Sequence, residues 1–155
     1  MPIQTNSRTI IKFDKLNKNH GWLSIWSPHG IKYNNVLWPN CAHAWYGARY
    51  NQSPLLNKIG ARALFYYRRN SIENYDPMLE ILEAILYAKL TTHPILINYL
   101  IDTNDSELVF IVSKFDTEDQ KRLGFCEEDN SGDNGLGKLW MKIREAVKKK
   151  PCLAA

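Results

Sequence analysis

One segment of the sequence has a clear helical periodicity. Behind the helix-start signal Asp76-Pro77, apolar residues recur at i, i+3, i+4, i+7 and i+8, namely Met78, Ile81, Leu82, Ile85 and Leu86. Lys89 continues this stripe at i+11, where a cation either reaches out from the helix end or meets an anionic partner inside. The stripe predicts one helix over Met78–Lys89 with an apolar face that packs on a core.

Shorter patterns surround this helix. They predict three strands near the start of the chain, Thr9–Phe13, Trp22–Trp26 and Ile31–Trp38, and a fourth over Glu107–Ser113. Start signals predict helices from Cys41 behind Asn40, from Ser53-Pro54 to Tyr66, from Ile95 to Ile101, and from behind Asp133 or Asn134 to Lys148. The polar segment Lys114–Ser131 is expected to be irregular.

Helices and strands intermix without the regular βαβ alternation of a parallel sheet, which favours the α+β class. We expect one mostly helical domain with a small sheet over residues 1–155, with its core at about 9–150. The apolar stripes predict that this core contains Trp38, Ile81, Ile85, Leu100, Ile111, Leu136, Trp140 and Ile143.

The composition, with 45% hydrophobic and 23% charged residues, is that of a soluble globular protein. No apolar stretch approaches the roughly 20 residues that cross a bilayer, and no leader pattern opens the sequence, so we expect a cytoplasmic protein without a membrane partner. Three widely spaced cysteines predict reduced thiols and no metal site. The net charge of +4, concentrated at Arg68-Arg69 and Lys148–Lys150, fits either solvated surface or an anionic ligand such as nucleic acid.

A glycine-rich stretch precedes the last predicted helix. Gly132–Lys138 has the glycine and lysine spacing of a P-loop, but Leu139 stands where a Ser or Thr must reach magnesium, which argues against a nucleotide triphosphatase. Two interpretations remain for Asn134, Gly135 and Gly137. They either expose backbone N–H groups to an anion such as a pyrophosphate, or they form a tight turn at the start of the helix.

Two further side chains are candidates for chemistry. His43 lies in the first turn of its predicted helix among aromatic residues, which suit either stacking on a base or an ordinary core with a structural histidine. Asp116 follows the apolar strand and is either a catalytic carboxylate at the strand exit or the cap of a short turn.

Several segments resemble motifs of the NADAR family. The ending GDNGLGKLWMKIR, Gly132–Arg144, is the most specific and is similar to the family's G-x-N-x-L-G-x-L-M-x-I-R. LSIW at Leu23–Trp26 resembles L-S-N-F, and WPNCAHAWYGARY at Trp38–Tyr50 resembles W-x-x-x-E-H-x-x-x-A-x-K-[FY]. Met78–Lys89, Leu100–Thr103 and Ser113–Asp116 are similar to further family motifs, so the resemblance covers about Ile11 to Val147.

The resemblance implies hydrolysis of an N-glycosidic bond in ADP-ribose-type substrates without a cofactor, above all removal of ADP-ribose from guanine in nucleic acid. A related branch resembles N-glycosidases of phosphorylated riboflavin-pathway intermediates. Carried over residue by residue, the resemblance implies catalytic roles at position 42, His43 and Asp116. It implies ligand-binding roles for Ser24, Trp26, Trp38, Lys89, Asn134, Gly135, Gly137 and Arg144. The implied partners are ADP-ribose or ADP-ribosylated guanine, together with a cognate ADP-ribosyltransferase system.

The sequence also departs from the family pattern. Ala42 stands at the position of the catalytic glutamate, Ile25 replaces an asparagine, Ile72 stands where a tryptophan is expected, and no W-G occurs within Glu118–Phe125. Two interpretations of Ala42 stay open. One is an N-glycosyl hydrolase that is weak or inactive because a substitution, of the kind used to trap a substrate, removed its carboxylate. The other is a natural non-catalytic module that binds ADP-ribose or modified nucleic acid.

Overall fold

The computed structural model describes residues 8–15, 20–49, 75–116 and 118–149, which contain five α-helices and four short strands. In chain order these are β1 (Ile10–Phe13), β2 (Ile31–Tyr33), β3 (Val36–Trp38), α1 (Cys41–Arg49), α2 (Tyr75–Thr92), α3 (Ile95–Asp102), β4 (Glu107–Phe110), α4 (Glu118–Leu123) and α5 (Gly135–Lys149). The α+β class is therefore confirmed, as is the predicted helix over Met78–Lys89. The helix expected from Ser53 to Tyr66, the Arg68-Arg69 pair and Ile72 lie outside the described residues. None of the described helices is long and apolar enough to span a bilayer.

A parallel pair of strands determines where the two ends of the described chain meet. β1 pairs with β4 in parallel, with Ile10 opposite Glu107 and Phe13 opposite Phe110. Because parallel strands finish at the same edge, the residues that follow β1 and the residues that follow β4 are neighbours there. This edge is where Asp14–Lys15 and Ser113–Asp116 come together.

The core lies between this strand pair, α2 and α5. Six of the eight predicted core residues are fully buried, namely Trp38, Ile85, Leu100, Leu136, Trp140 and Ile143, and Ile81 packs against them while partly exposed. Ile111 is an error in the predicted core, because it is half-exposed and does not belong to the buried cluster. Alternate side chains of an extended segment face opposite sides, and here Leu108, Phe110 and Val112 face the core.

The predicted strand over Ile31–Trp38 is a tight hairpin. β2 and β3 are antiparallel, with Ile31 opposite Trp38 and Tyr33 opposite Val36. The two residues between the strands, Asn34 and Asn35, have φ angles of 51° and 62°. Positive φ at both central positions is the conformation of a type I′ turn, which asparagine tolerates better than most residues.

Two further expectations are wrong. The segment Trp22–Trp26 is not a strand, since a 3-10 turn over Gly21–Leu23 leads into a compact loop. Its carbonyl groups are satisfied by side chains instead of a neighbouring strand: Lys89 Nζ donates to the Trp22 oxygen, and Trp140 Nε1 donates to the Leu23 oxygen at 2.8 Å. The segment expected to be irregular contains α4, whose Gln120 and Leu123 are both fully buried.

Candidate active site

An ion pair occupies the edge where β1 and β4 end. Lys15 Nζ lies 3.0 Å from Asp116 Oδ1, and the backbone N–H of Ser113 donates to Asp116 Oδ2 at 2.9 Å. Both ionised side chains remain partly accessible, with 29% and 17% of their surfaces exposed. They line an open cavity of about 400 Å³ together with Asp14 and Glu128. The arrangement holds a carboxylate in a fixed orientation at the mouth of a cavity.

Aromatic rings lie beside this ion pair. Lys15 Nζ is 6.0 Å from the ring centroid of Trp26, and the Trp26 ring lies 6.3 Å from that of Tyr46. The Tyr46 hydroxyl accepts a hydrogen bond from Gln120 Nε2 at 3.2 Å, which ties α1 to α4. Tyr46 is fully buried, whereas Trp26 is partly exposed. The Trp26 ring is therefore the flat face next to the carboxylate that suits a ligand with a base and a sugar.

The start of α1 carries position 42 and His43. The Ala42 backbone N–H donates to the Ile25 oxygen at 2.9 Å, and its side chain is fully buried. Asn40 Oδ1 accepts the His43 backbone N–H at 2.9 Å, which confirms Asn40 as the predicted N-cap. Since position 42 lies one helical turn before Tyr46, the two side chains share a face of α1.

The ring of His43 is oriented by the same capping residue. His43 Nδ1 lies 2.8 Å from Asn40 Oδ1, and that oxygen already accepts the backbone N–H of His43. The oxygen cannot donate, so Nδ1 carries the proton in this contact and Nε2 is the basic nitrogen of the neutral ring. The imidazole is buried, with 3% of its surface exposed.

Lys89 makes contacts that differ from the predicted phosphate anchor. Its ammonium group is fully buried and donates to the carbonyl oxygen of Trp22, to that of Ser24 at 3.0 Å and to Ser27 Oγ at 2.7 Å. All three N–H donors are thus used within the protein. Desolvation lowers the pKa of Lys89 from 10.5 to about 8. In this conformation the lysine holds the loop 22–27 and offers no donor to a ligand.

Arg144, the second predicted anchor, is also an interior residue. Only 2% of its surface is exposed, and Nη1 donates to Thr103 Oγ1 at 2.9 Å and to the Ser106 oxygen at 2.8 Å. These bonds fix the turn between α3 and β4. Desolvation lowers the pKa of Arg144 as well.

The glycine-rich turn before α5 packs on β4 instead of facing a ligand. Asn134 Oδ1 accepts the Phe110 N–H at 3.0 Å, and Nδ2 donates to the Leu108 oxygen at 2.9 Å, so its amide completes the edge of β4. A side chain at Gly137 would collide with the Leu108 oxygen and with Asn134, and Gly135 is buried beside them. Of the two interpretations of this turn, the structure favours the close packing of a helix on a strand.

Two other predicted ligand residues also have structural contacts. Ser24 is buried, and its Oγ accepts the Trp26 backbone N–H at 3.1 Å, which shapes the loop that presents Trp26. Trp38 donates from Nε1 to the Tyr33 oxygen at 3.2 Å and lies against Gly47, where a larger residue would collide with its ring. Of the predicted site residues, the structure therefore brings Trp26 near the ion pair of Asp116, and it connects Ala42 to the loop of Trp26 through the Ile25 oxygen. His43 contacts Asn40 on α1, and the others are in supporting positions.

Sequence reasoning missed Lys15 and Gln120, whereas Tyr46 was among the aromatic residues around His43 that were expected to suit either stacking on a base or an ordinary core. Lys15 and Asp116 are 101 residues apart in the chain, and only the parallel pairing of β1 with β4 brings them into contact. Gln120 belongs to a helix that the polar composition of its segment concealed. Among the described residues, no group of three or more His, Cys, Asp or Glu side chains is arranged to hold a metal ion.

Comparison with known proteins extends these observations. No protein-family model matches the sequence. A riboflavin biosynthesis protein of Vibrio vulnificus (strain YJ016) is 25% identical over 148 residues, a match that covers 88% of this chain but only 38% of the length of that relative. The fold is similar to the NMR structure of the E. coli protein YbiA, with a TM-score of 0.77, 21% identity and coverage of 98% of this chain and 96% of YbiA. The match to YbiA shows a shared fold, and the match to the Vibrio protein is consistent with the NADAR resemblance of the motifs that end at Arg144.

Proposed function

We propose that this protein has a glycosidase-type site and hydrolyses an N-glycosidic bond in ADP-ribose-type substrates, with ADP-ribosylated guanine in nucleic acid as the preferred target. The observation that carries the proposal is the Asp116 carboxylate, which Lys15 and the Ser113 N–H orient at a cavity mouth beside Trp26 and Tyr46. The family resemblance of these segments supplies the reaction class.

Cleavage of an N-glycosidic bond requires a carboxylate held in a fixed position. As the base leaves, the ribose C1 carbon develops positive charge, and a fixed carboxylate stabilises that charge or activates the attacking water. Asp116 takes this part in our proposal, and Lys15 acts as a positioning residue that holds its carboxylate. Trp26, which is partly exposed, offers a ring face to the leaving base, and the buried Tyr46 packs beside it. His43, whose ring is oriented by Asn40, positions the ligand or an acidic neighbour.

Ala42 lacks the carboxylate that the family pattern places at this position. A glutamate there would stand one turn before Tyr46 and would supply a second carboxylate, as the family pattern has it. A general base contributes roughly a hundred- to ten-thousand-fold to such a step, and alanine has no proton acceptor. The chain as written is therefore expected to turn over slowly.

Single-turnover release of ADP-ribose from a modified guanine oligonucleotide tests the proposal. Ala42→Glu should accelerate release by several orders of magnitude, and Asp116→Asn in the Ala42→Glu background should reverse the gain. Asp105→Asn is the matched control, because Asp105 is an exposed aspartate that also pairs with a lysine, Lys148. If Ala42→Glu binds the oligonucleotide yet releases nothing, the binding module replaces the enzyme. Rapid release by the unaltered chain would instead remove position 42 from the mechanism.

A second substrate class has its own support. The curated relative is named for riboflavin biosynthesis, and this chain corresponds to about a third of it. Phosphorylated riboflavin-pathway intermediates also contain a ribose-derived unit with a C–N bond to break. The same variants incubated with such an intermediate distinguish the two, since the true substrate is the one whose cleavage depends on Asp116.

A further inference from the structure

A second cavity lies away from the Asp116 site. It measures about 670 Å³, within the usual range for small-molecule sites, and it shares no lining residue with the Asp116 cavity. Its lining combines aromatic, apolar and polar side chains from the segment 20–29, β1 and α3, namely Ile11, His20, Trp22, His29, Leu96, Tyr99, Asp102 and Thr103. The rings of Trp22 and Tyr99 meet edge to face at 5.9 Å and give the cavity an aromatic side.

Two buried cations stand behind this lining. Lys89 donates to the carbonyl oxygen of Trp22, and Arg144 donates to Thr103 Oγ1 at 2.9 Å. Within the part of the chain that the structure describes, neither cation forms a salt bridge, and the Nε of Arg144 is buried without a hydrogen-bond partner. A buried charge without an opposite charge is unfavourable, so an anion bound against this wall is stabilised by both cations.

Two hydrogen bonds connect the Lys89 ammonium group to the surface of the cavity. Lys89 Nζ donates to Ser27 Oγ at 2.7 Å, and Ser27 Oγ lies 2.8 Å from His29 Nδ1. Because the Ser27 oxygen accepts from the ammonium, its hydroxyl proton is directed to His29 Nδ1, and the neutral ring then carries its own proton on Nε2. Burial, Lys89 and His93 lower the pKa of His29, which favours the neutral ring. His29 therefore keeps a polarised Nε2–H donor for a ligand.

We propose that this cavity binds a small molecule that carries both an aromatic ring and an oxyanion, either a phosphate or a carboxylate. The ring packs on Trp22 and Tyr99, and the oxyanion accepts from His29 Nε2–H in the field of Lys89 and Arg144. Asp102, exposed at the rim, accepts from a hydroxyl or amine of the ligand. The proposal does not depend on hydrolysis at Asp116.

Phenyl phosphate is a suitable probe because it carries both an aromatic ring and an oxyanion. Benzyl alcohol, which has the ring but no charge, and inorganic phosphate, which has the charge but no ring, are the two control ligands. Titration followed by amide chemical shifts should give saturable binding in roughly the millimolar range or tighter for phenyl phosphate. We expect it to bind at least about ten-fold tighter than either half, with shifts at residues 20–29 and 96–103. Shifts centred on residues 113–116 would assign the anion to the Asp116 cavity and overturn the proposal, as would the absence of saturation.

Variants separate the two parts of the ligand. His29→Ala should weaken phenyl phosphate about ten-fold and leave benzyl alcohol unchanged, because it removes only the polar contact. Tyr99→Ala should weaken both, and it tests the site even if position 29 is needed for folding, since Tyr99 is 46% exposed. Leu37→Ala, a truncation of an exposed residue outside the cavity, is the control. Unchanged affinity in both cavity variants would refute this site.

Discussion

Gly137 shows how a single residue can suggest a ligand site and instead serve packing. A helix that opens with glycines is a common device for binding phosphates, and the same absence of a side chain lets a helix approach a strand. Here the neighbour of Gly137 is the Leu108 carbonyl group on β4, with the Asn134 amide beside it. The most specific motif of the sequence is therefore explained by the junction between β4 and α5.

Gly137→Ala should destabilise the protein by about 2–4 kcal/mol, because the new methyl group meets backbone that cannot move aside without breaking the Asn134 bonds to β4. Urea unfolding followed by circular dichroism measures the change. Gly21→Ala is the matched control, since a side chain there has no atom within 4 Å, and it should change the free energy of unfolding by less than about 0.5 kcal/mol. Equal losses in the two variants would contradict the packing role.

At the scale of elements, a regular apolar periodicity was sufficient to predict a helix where the periodic segment was long. α2 has a long apolar stripe, and α1, α3 and α5 follow their capping or proline signals, so the sequence predicted all four. Predictions for short segments failed where tertiary contacts determine the backbone conformation. The loop 22–27 has the β-rich composition of a strand, yet Lys89, 62 to 67 residues away, binds its oxygens and keeps it compact.

The hairpin between β2 and β3 gives a prediction at this scale. Asn35, at φ 62°, occupies the second central position of the turn, where glycine is the preferred residue of a type I′ turn. Asn35→Gly should therefore stabilise the fold by up to about 1 kcal/mol, and Asn35→Val should destabilise it by more than that. Thermal unfolding of the two variants measures whether each substitution raises or lowers the stability of the fold. A loss of stability in the glycine variant would show that the Asn35 side chain has a role beyond the turn.

On the scale of the whole molecule, the candidate site exists only because distant segments meet. Asp116 was identifiable as a polar residue at a strand exit, but Lys15 gave no signal, since β1 pairs with a strand far away in the sequence and no local pattern specifies that pairing. The same limit explains the second cavity. Its cations, Lys89 and Arg144, come from two helices, and each binds a different segment of the cavity wall. Local patterns located the chemical groups, and the topology determined their partners.

Lys89 couples three elements, because it belongs to α2, binds the loop 22–27 and lies 5.8 Å from the Trp140 ring of α5. Its titration should therefore be visible in global stability. The pKa of Lys89 falls from 10.5 to about 8 on folding, so above pH 8 the unfolded chain holds a proton that the folded chain has released. Unfolding then takes up a proton, and the free energy of unfolding rises with pH.

The nearby thiol of Cys41 limits the pH range over which the free energy of unfolding rises. Burial raises its pKa from 9.0 to about 11, so above pH 9 the unfolded chain loses a proton that the folded chain keeps, and this effect opposes that of Lys89. We therefore expect the free energy of unfolding to increase by up to about 1.4 kcal/mol between pH 8 and pH 9 and then to level off. Urea titrations at closely spaced pH values measure it. Lys89→Met should abolish the rise, whereas Cys41→Ala should keep it and let it continue beyond pH 9. A flat profile from pH 8 to 9 in the unaltered protein would mean that the three hydrogen bonds of Lys89 stabilise its charged form against burial, and the lysine would then remain protonated throughout this range.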